Sequence, residues 1–80
     1  MSVDIPAPDV GEGVTHLIVA EWLKKPGDAV REGELIVEVM TDKANFEVEA
    51  PVAGVLKEIC AKADEEVAVG AVLGRIEASR

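Results

Sequence analysis

Glu38-Val39-Met40-Thr41-Asp42-Lys43-Ala44-Asn45-Phe46-Glu47-Val48-Glu49-Ala50-Pro51 lies at the middle of the chain and reads as a hairpin with a lysine at its tip. Before it, Leu35, Val37 and Val39 are apolar at every second position; after it, Ala44, Phe46, Val48 and Ala50 continue the pattern. Period-two alternation marks a strand with one buried face. A reversal at Asp42-Lys43 sets Thr41 opposite Ala44, Val39 opposite Phe46, Val37 opposite Val48 and Leu35 opposite Ala50. Every inward residue then meets an inward residue, and each such pair stabilises a sheet by roughly 0.2–1 kcal/mol. A slip of one position would turn Val39 toward Asn45 or Glu47, so the register is well specified. The cost is Glu38 opposite Glu47 on the outer face, which water tolerates. Lys43 is therefore expected at the most protruding point of a rigid hairpin.

Composition narrows the rest. Eighty residues make one small domain, near the lower limit for a self-sufficient core. The apolar fraction is 49%, mostly Val, Ala, Leu and Ile, with Trp22 and Phe46 as the aromatics, so the core is expected to be thin and aliphatic. A Val-rich sequence punctuated by Gly and Pro, without a long 3.6-period run, argues for an all-β fold. The net charge of −8 argues against nucleic acid and anionic membrane surfaces as partners and suits a basic protein surface. Cys60 is the single cysteine, which excludes an internal disulfide framework and fits a reducing compartment. No stretch is long and apolar enough for a spanning helix, and Met1-Ser2-Val3-Asp4 does not resemble a signal segment. The expected location is a bacterial cytoplasm, or the mitochondrial matrix for a eukaryotic source.

In chain order, Val3 and Ile5 form a short strand stopped by Pro6 and Pro8. Asp9 to Thr15 is a glycine-rich loop, Leu17 to Leu23 a strand, and Lys25-Pro26-Gly27-Asp28 a turn. Val30 is a brief strand, Arg31 to Glu34 a turn, and Leu35 to Met40 enters the central hairpin. Pro51 to Gly54 turns, Val55 to Ile59 is a strand, and Lys62 to Glu65 turns. Val67 is a short strand and Val72 to Ile76 closes the domain. The ordered core is expected over about residues 3–77, with Ala78-Ser79-Arg80 a frayed tail or the start of a linker.

This order repeats. A shift of 37 residues carries Ile18 onto Val55, Val19 onto Leu56, Lys25 onto Lys62, Gly33 onto Gly70 and Val39 onto Ile76. Upstream the shift is 43: Val3 onto Phe46, Ile5 onto Val48, Ala7 onto Ala50, Pro8 onto Pro51. The difference of six is an insertion in the first copy, within the Gly11–His16 loop. Two four-strand units, neither able to cover its own apolar face, pack on each other. The expectation is a flattened eight-stranded barrel or sandwich of two four-stranded antiparallel sheets with approximate two-fold symmetry, one domain over residues 1–80. The Lys43 hairpin joins the halves, and the inserted loop is the main departure from symmetry.

Thr41-Asp42-Lys43-Ala44, set between Glu38-Val39-Met40 and Phe46-Glu47-Val48, resembles the lipoylation site of lipoyl domains. These belong to the acyltransferase (E2) component of 2-oxo acid dehydrogenase complexes. Asp9-Val10-Gly11-Glu12-Gly13, Trp22, Lys25-Pro26-Gly27-Asp28, Gly33, Pro51 and Gly54 extend the resemblance over nearly the whole chain. It implies lipoate as a covalent cofactor, joined to Lys43 by an amide, with Asp42 and Ala44 flanking the lysine and helping to select the modifying lipoate ligase or lipoyl transferase. It implies acyl transfer from a thiamine-dependent decarboxylase (E1) to coenzyme A at the E2 core, and reoxidation by a flavin-dependent dehydrogenase (E3). A five-membered cyclic disulfide cannot relax to a dihedral near 90°, which makes it easily reduced. The resemblance also implies that Glu12, Gly13, Val14 and Thr15 neighbour the lysine and help E1 choose its substrate. Thr15-His16-Leu17 stands where members often have a Glu-Gly pair. A pyruvate dehydrogenase complex is the expected parent, with branched-chain, 2-oxoglutarate and acetoin complexes as alternatives.

Other readings compete. Lys43 alone could be a solvated turn lysine. A biotin carrier shares the fold and also modifies a hairpin lysine, but its lysine is usually flanked by methionines rather than by Asp42 and Ala44. An unmodified adaptor barrel would make Lys43 dispensable. An independent enzyme is not expected, since no nucleophile–base pair, metal cluster or phosphate loop is visible, and the acyltransferase motif of His, Asp and Gly is missing. His16 reads as a surface loop residue without a second histidine for a metal site, Cys60 as a small structural residue, and Glu65-Glu66 as a solvated face. The isolated domain is expected to be a monomer.

Overall fold

The computed structural model describes residues 1–11 and 13–78. Eight strands follow one another: β1 (Ser2–Pro6), β2 (His16–Trp22), β3 (Ala29–Val30), β4 (Leu35–Met40), β5 (Asn45–Glu49), β6 (Gly54–Ile59), β7 (Glu66–Ala68) and β8 (Val72–Ala78). They form two antiparallel four-stranded sheets, ordered β1-β8-β6-β3 and β5-β4-β2-β7. Replacing β1, β8, β6 and β3 by β5, β4, β2 and β7 turns one sheet into the other, as the internal repeat requires.

The symmetry extends to single hydrogen bonds. The Gly33 N–H donates to Ala50 O and the Gly70 N–H to Ala7 O, both at 2.9 Å. The Leu23 N–H donates to Ile36 O and the Cys60 N–H to Leu73 O, both at 2.8 Å. In the paired turns, the Lys25 N–H meets the Asp28 carboxylate and the Lys62 N–H meets the Glu65 carboxylate. Gly27 has φ 97°, and its twin Asp64 takes the same left-handed region at 73°. Aspartate tolerates that region better than most side chains.

Between the sheets lies an aliphatic core of Ile5, Leu17, Val19, Ile36, Val37, Val39, Leu56, Leu73 and Ile76, each almost wholly buried. No polar or charged side chain is buried among the described residues. Trp22 and Phe46 pack on its edges. Trp22 also donates from Nε1 to Ala61 O at 2.6 Å, tying β2 to the far half. Its ring lies where a Gly74 side chain would begin, with Cη2 only 2.9 Å from that point. The twin positions hold Ile59 and Val37, so a large–small combination at one crossing between the repeats is replaced by two medium residues at its symmetry equivalent.

The central hairpin keeps its expected register from Val39↔Phe46 to Val37↔Val48, with Glu38 facing Glu47. Two positions differ from expectation. Ile36 is an extra residue in β4, so Leu35 pairs with Glu49 instead of Ala50. A bulge sends two consecutive residues to similar faces; Ile36 and Val37 are both buried, and Leu35 is turned outward at 37% exposure. Leu73 is the matching bulge in β8. Ala44 is exposed rather than inward, because it belongs to the turn and accepts the Thr41 N–H at 2.8 Å. At the other end, β8 runs on through Ala78, whose N–H donates to Met1 O at 2.8 Å and which pairs with Gly54. Ser79 and Arg80, expected as part of a tail, lie outside the described residues. β2 ends at Trp22, so Leu23 lies just past the strand.

Two predictions follow from the packing and the surface charge. A Cβ on Gly54 would lie 2.1 Å from Glu77 O, so Gly54→Ala forces the β6–β8 ladder apart. Chemical denaturation should show a loss of about 1–3 kcal/mol, the usual range for overpacking. Separately, the Lys24 ammonium at 2.8 Å and the Arg31 N–H hold the Glu34 carboxyl below its ordinary value. A lowered folded value contributes stability that is fully present above the unfolded carboxylate range and is lost as pH falls through the lowered folded value. Glu34→Gln should therefore lower the urea midpoint slightly near neutral pH, and the two proteins should converge only once the pH has fallen below the ordinary carboxylate range and through the lowered folded value.

Candidate functional site

The tip of the β4–β5 hairpin is a four-residue turn, Thr41 to Ala44, closed by the Thr41 N–H on Ala44 O. The Thr41 hydroxyl fills the turn. Its Oγ1 accepts the N–H groups of Lys43 and Ala44, each at 3.2 Å, and donates to Ala44 O at 3.3 Å. Hydroxyl side chains commonly stabilise turns in this way. Asp42, Lys43 and Ala44 are all exposed, and Thr41 is half-buried. Among the described residues no ion pair involves Lys43.

The inserted loop folds against this tip. Asp9 Oδ1 accepts the Gly11 N–H at 3.1 Å, and Gly11 and Gly13 take positive φ angles of 138° and 82° that other residues rarely adopt. The loop is anchored by Val10 and Val14, which pack on the core edge beside Phe46. It rejoins the sheet where Thr15 O accepts the Val69 N–H at 3.0 Å. Gly13 and Val14 line a shallow hollow together with Lys43, Ala44 and Phe46. A second hollow on the other flank is bordered by Thr15, His16, Ile18, Met40 and Asp42. The expected neighbours Gly13, Val14 and Thr15 are thus brought beside the hairpin carrying Lys43. Glu12, named with them, lies outside the described residues.

His16 opens β2 rather than sitting in the loop; it is exposed, with Nδ1 2.9 Å from Thr15 Oγ1. Cys60 is exposed rather than part of the packed interior, with Sγ 3.8 Å from the Arg75 guanidinium. No cluster of metal-ligating side chains occurs among the described residues. Thr41 stands in the sequence motif without an assigned role, although a threonine two residues before the tip is a signal for such a turn. Val10 likewise stands in its motif without an assigned role, although it anchors the loop.

The tip and the Met1–Ala78 contact occupy twin places: the Thr41–Ala44 bond corresponds to the Ala78–Met1 bond. They are far apart along a molecule of 38 × 20 × 17 Å. β8 starts at Val72, near the Thr15–Val69 contact beside the tip, and runs away from it. Its length to Ala78 is roughly 20 Å at about 3.3 Å per residue.

Comparison with known proteins gives a consistent set of likenesses. A family model described as "Biotin-requiring enzyme" matches residues 3–76. The dihydrolipoyllysine-residue succinyltransferase component of the 2-oxoglutarate dehydrogenase complex of Bartonella vinsonii is 49% identical, covering 98% of this chain and 19% of its own length. The acetyltransferase component of the pyruvate dehydrogenase complex of Corynebacterium glutamicum is 45% identical over 94% of this chain and 11% of its own. The chain therefore spans less than a fifth of these relatives. The lipoyl domain of the Escherichia coli dihydrolipoyl succinyltransferase superposes over the full length of both chains, with a TM-score of 0.81 and 41% identity. That of the Azotobacter vinelandii 2-oxoglutarate dehydrogenase complex covers 96% of this chain and 99% of its own, with a TM-score of 0.77 and 42% identity.

The geometry predicts that Lys43 has no part in folding. Lys43→Gln should change the unfolding free energy by less than about 0.5 kcal/mol in urea titrations, the usual size for an exposed, unpaired side chain.

Proposed function

The chain belongs to the biotinyl/lipoyl-attachment family, and from that premise we propose that it is a lipoyl carrier whose Lys43 takes lipoate in amide linkage. The observation that carries this reading is the placement of one amine at the tip of a fixed hairpin, at the end of the molecule away from Met1 and Ala78. The residues there fit the group. Amide formation removes the lysine charge, and no ion pair among the described residues depends on it. Val14, Ala44 and Phe46 offer apolar surface beside the attachment point. Lipoate, when bound, supplies a reducible cyclic disulfide that takes up and releases acyl groups.

The chain's own residues supply position and identity. The β4–β5 ladder fixes the direction in which Lys43 projects. Asp42 and Ala44 border the amine for a lipoate ligase or lipoyl transferase. Gly13, Val14 and Thr15 form a surface that E1 meets as it approaches the tip; Glu12, expected to serve E1 recognition with them, lies outside the described residues. The chain performs no catalysis alone in this reading. It serves E1, the E2 core and E3 as one module of a dihydrolipoyllysine-residue acyltransferase, and tethering to that longer chain raises its concentration at each partner site. Both the pyruvate and the 2-oxoglutarate complexes stand as parents. The Corynebacterium relative supports the first, and the Bartonella relative and both solved structures support the second. The relatives named are bacterial, which favours the bacterial cytoplasm as the place of action.

Incubation with lipoate, ATP and lipoate ligase should add one lipoyl group by intact mass, located on Lys43 by peptide mapping. Lys43→Arg should abolish the addition. The lipoylated protein should then be reductively acylated by an E1 specific for pyruvate or for 2-oxoglutarate. Attachment of biotin instead, or modification at another lysine, would contradict the carrier assignment; acylation by neither E1 would contradict the proposed parents.

A further inference from the structure

We infer that Thr41 is the positioning residue that makes Lys43 a substrate for its modifying enzyme. This rests on the reading of Lys43 as the attachment site. The tip needs something to hold it. Beyond Met40↔Asn45 the β4–β5 pairing ends, and one backbone bond, Thr41 N–H to Ala44 O, closes the turn. The corresponding place in the other half is a backbone bond between Met1 and Ala78, which are far apart in sequence and not joined by a turn. The Asp42-Lys43 link thus has no symmetric counterpart whose packing could fix it, and both residues are exposed.

The Thr41 hydroxyl supplies what packing does not. It is one donor and two acceptors, and all three are used: it accepts from Lys43 N–H and Ala44 N–H and donates to Ala44 O. Both backbone N–H groups at and after the lysine are therefore tied to a single oxygen. Thr41 is half-buried and borders both hollows flanking the hairpin, so its Cβ is anchored while its hydroxyl faces the turn. The consequence is a narrow distribution of Lys43 Cα positions and side-chain directions. An enzyme that must bring the Lys43 amine to an activated acyl group binds only the fraction of tips with that geometry. Its apparent affinity falls in proportion as that fraction falls.

The test uses wild type, Thr41→Val and Thr41→Ser, with lipoate ligase and lipoate as the probe reaction. Thr41→Val keeps the shape and removes the hydroxyl; Thr41→Ser keeps the hydroxyl and removes the methyl. Thr41→Val should raise the ligase KM for the protein by at least roughly three- to tenfold, the range for one ordinary hydrogen bond and so a lower bound for the three this hydroxyl makes, with kcat little changed. Thr41→Ser should restore most of the wild-type KM. The Lys43 and Ala44 amides should exchange faster with solvent in Thr41→Val alone, while the thermal midpoints of all three stay close. Equal KM for wild type and Thr41→Val would overturn the inference, as would failure of Thr41→Ser to recover. Failure of wild type to be modified on Lys43 would overturn the attachment reading itself, a separate result.

Discussion

Neither sheet of this protein can bury its own apolar face. The repeats do not pack as separate units, as the sequence suggested; each sheet takes two strands from either repeat, β3 being only two residues long, and each presents aliphatic side chains on one side. Covering them requires the other sheet. The core of Ile, Leu, Val and Ala without a buried polar side chain is that mutual cover. At about 25 cal/mol per Å² of apolar surface removed from water, it is the main favourable contribution to folding. Everything at the tip depends on it, because β4 and β5 are stiff only while their inner faces are pressed against the opposite sheet.

The two-fold arrangement makes the halves equivalent in packing and leaves chemistry to the places where they differ. There are two such places. One is the six-residue insertion, whose surroundings set Val10, Gly13, Val14 and Thr15 against the hairpin. The other is the joint between the halves, a closed turn bearing Lys43 at one place and the Met1–Ala78 bond at its symmetry equivalent. The two lie together. A side chain that distinguishes one end of a near-symmetric body from the other is a natural place for a covalent group and for partners that must recognise it. Across β2, β4 and β5 the outer face carries Glu21, Glu38 and Glu47 in register, like charges directly opposite one another. Such an alignment costs stability, and it leaves the sheet bearing Lys43 strongly negative.

Much of this was legible in the sequence, for identifiable reasons. The alternation of Val37, Val39, Phe46 and Val48 fixed faces and register together, since a one-residue slip would expose all four. The 37- and 43-residue shifts showed the two-fold symmetry because turn glycines and strand valines recur at both places, but not the exchange that sets β1 and β3 beside β8 and β6 in one sheet. The bulges at Ile36 and Leu73 were not legible. Leu35-Ile36-Val37 is a run of three apolar residues, and period alone does not say which two turn inward. The exchange of Trp22 with Gly74 for Ile59 with Val37 was hidden too, because a residue's size says nothing about which distant position it fills. At the site, Lys43 was readable from its place in the pattern. Thr41 was not, because its role lies in three hydrogen bonds to backbone groups, and a threonine at a strand end is otherwise ordinary.

The account depends on Lys43 standing on a rigid projection rather than on a loose loop. Backbone ¹⁵N relaxation measures that directly. Order parameters for β4 and β5 should match those of the interior strands β6 and β8, near 0.85, and stay well above about 0.6 through Asp42 and Lys43. Values that fall below about 0.6 from Met40 onward would mean that the amine is carried on a flexible segment, and the hairpin would no longer explain how this chain presents it.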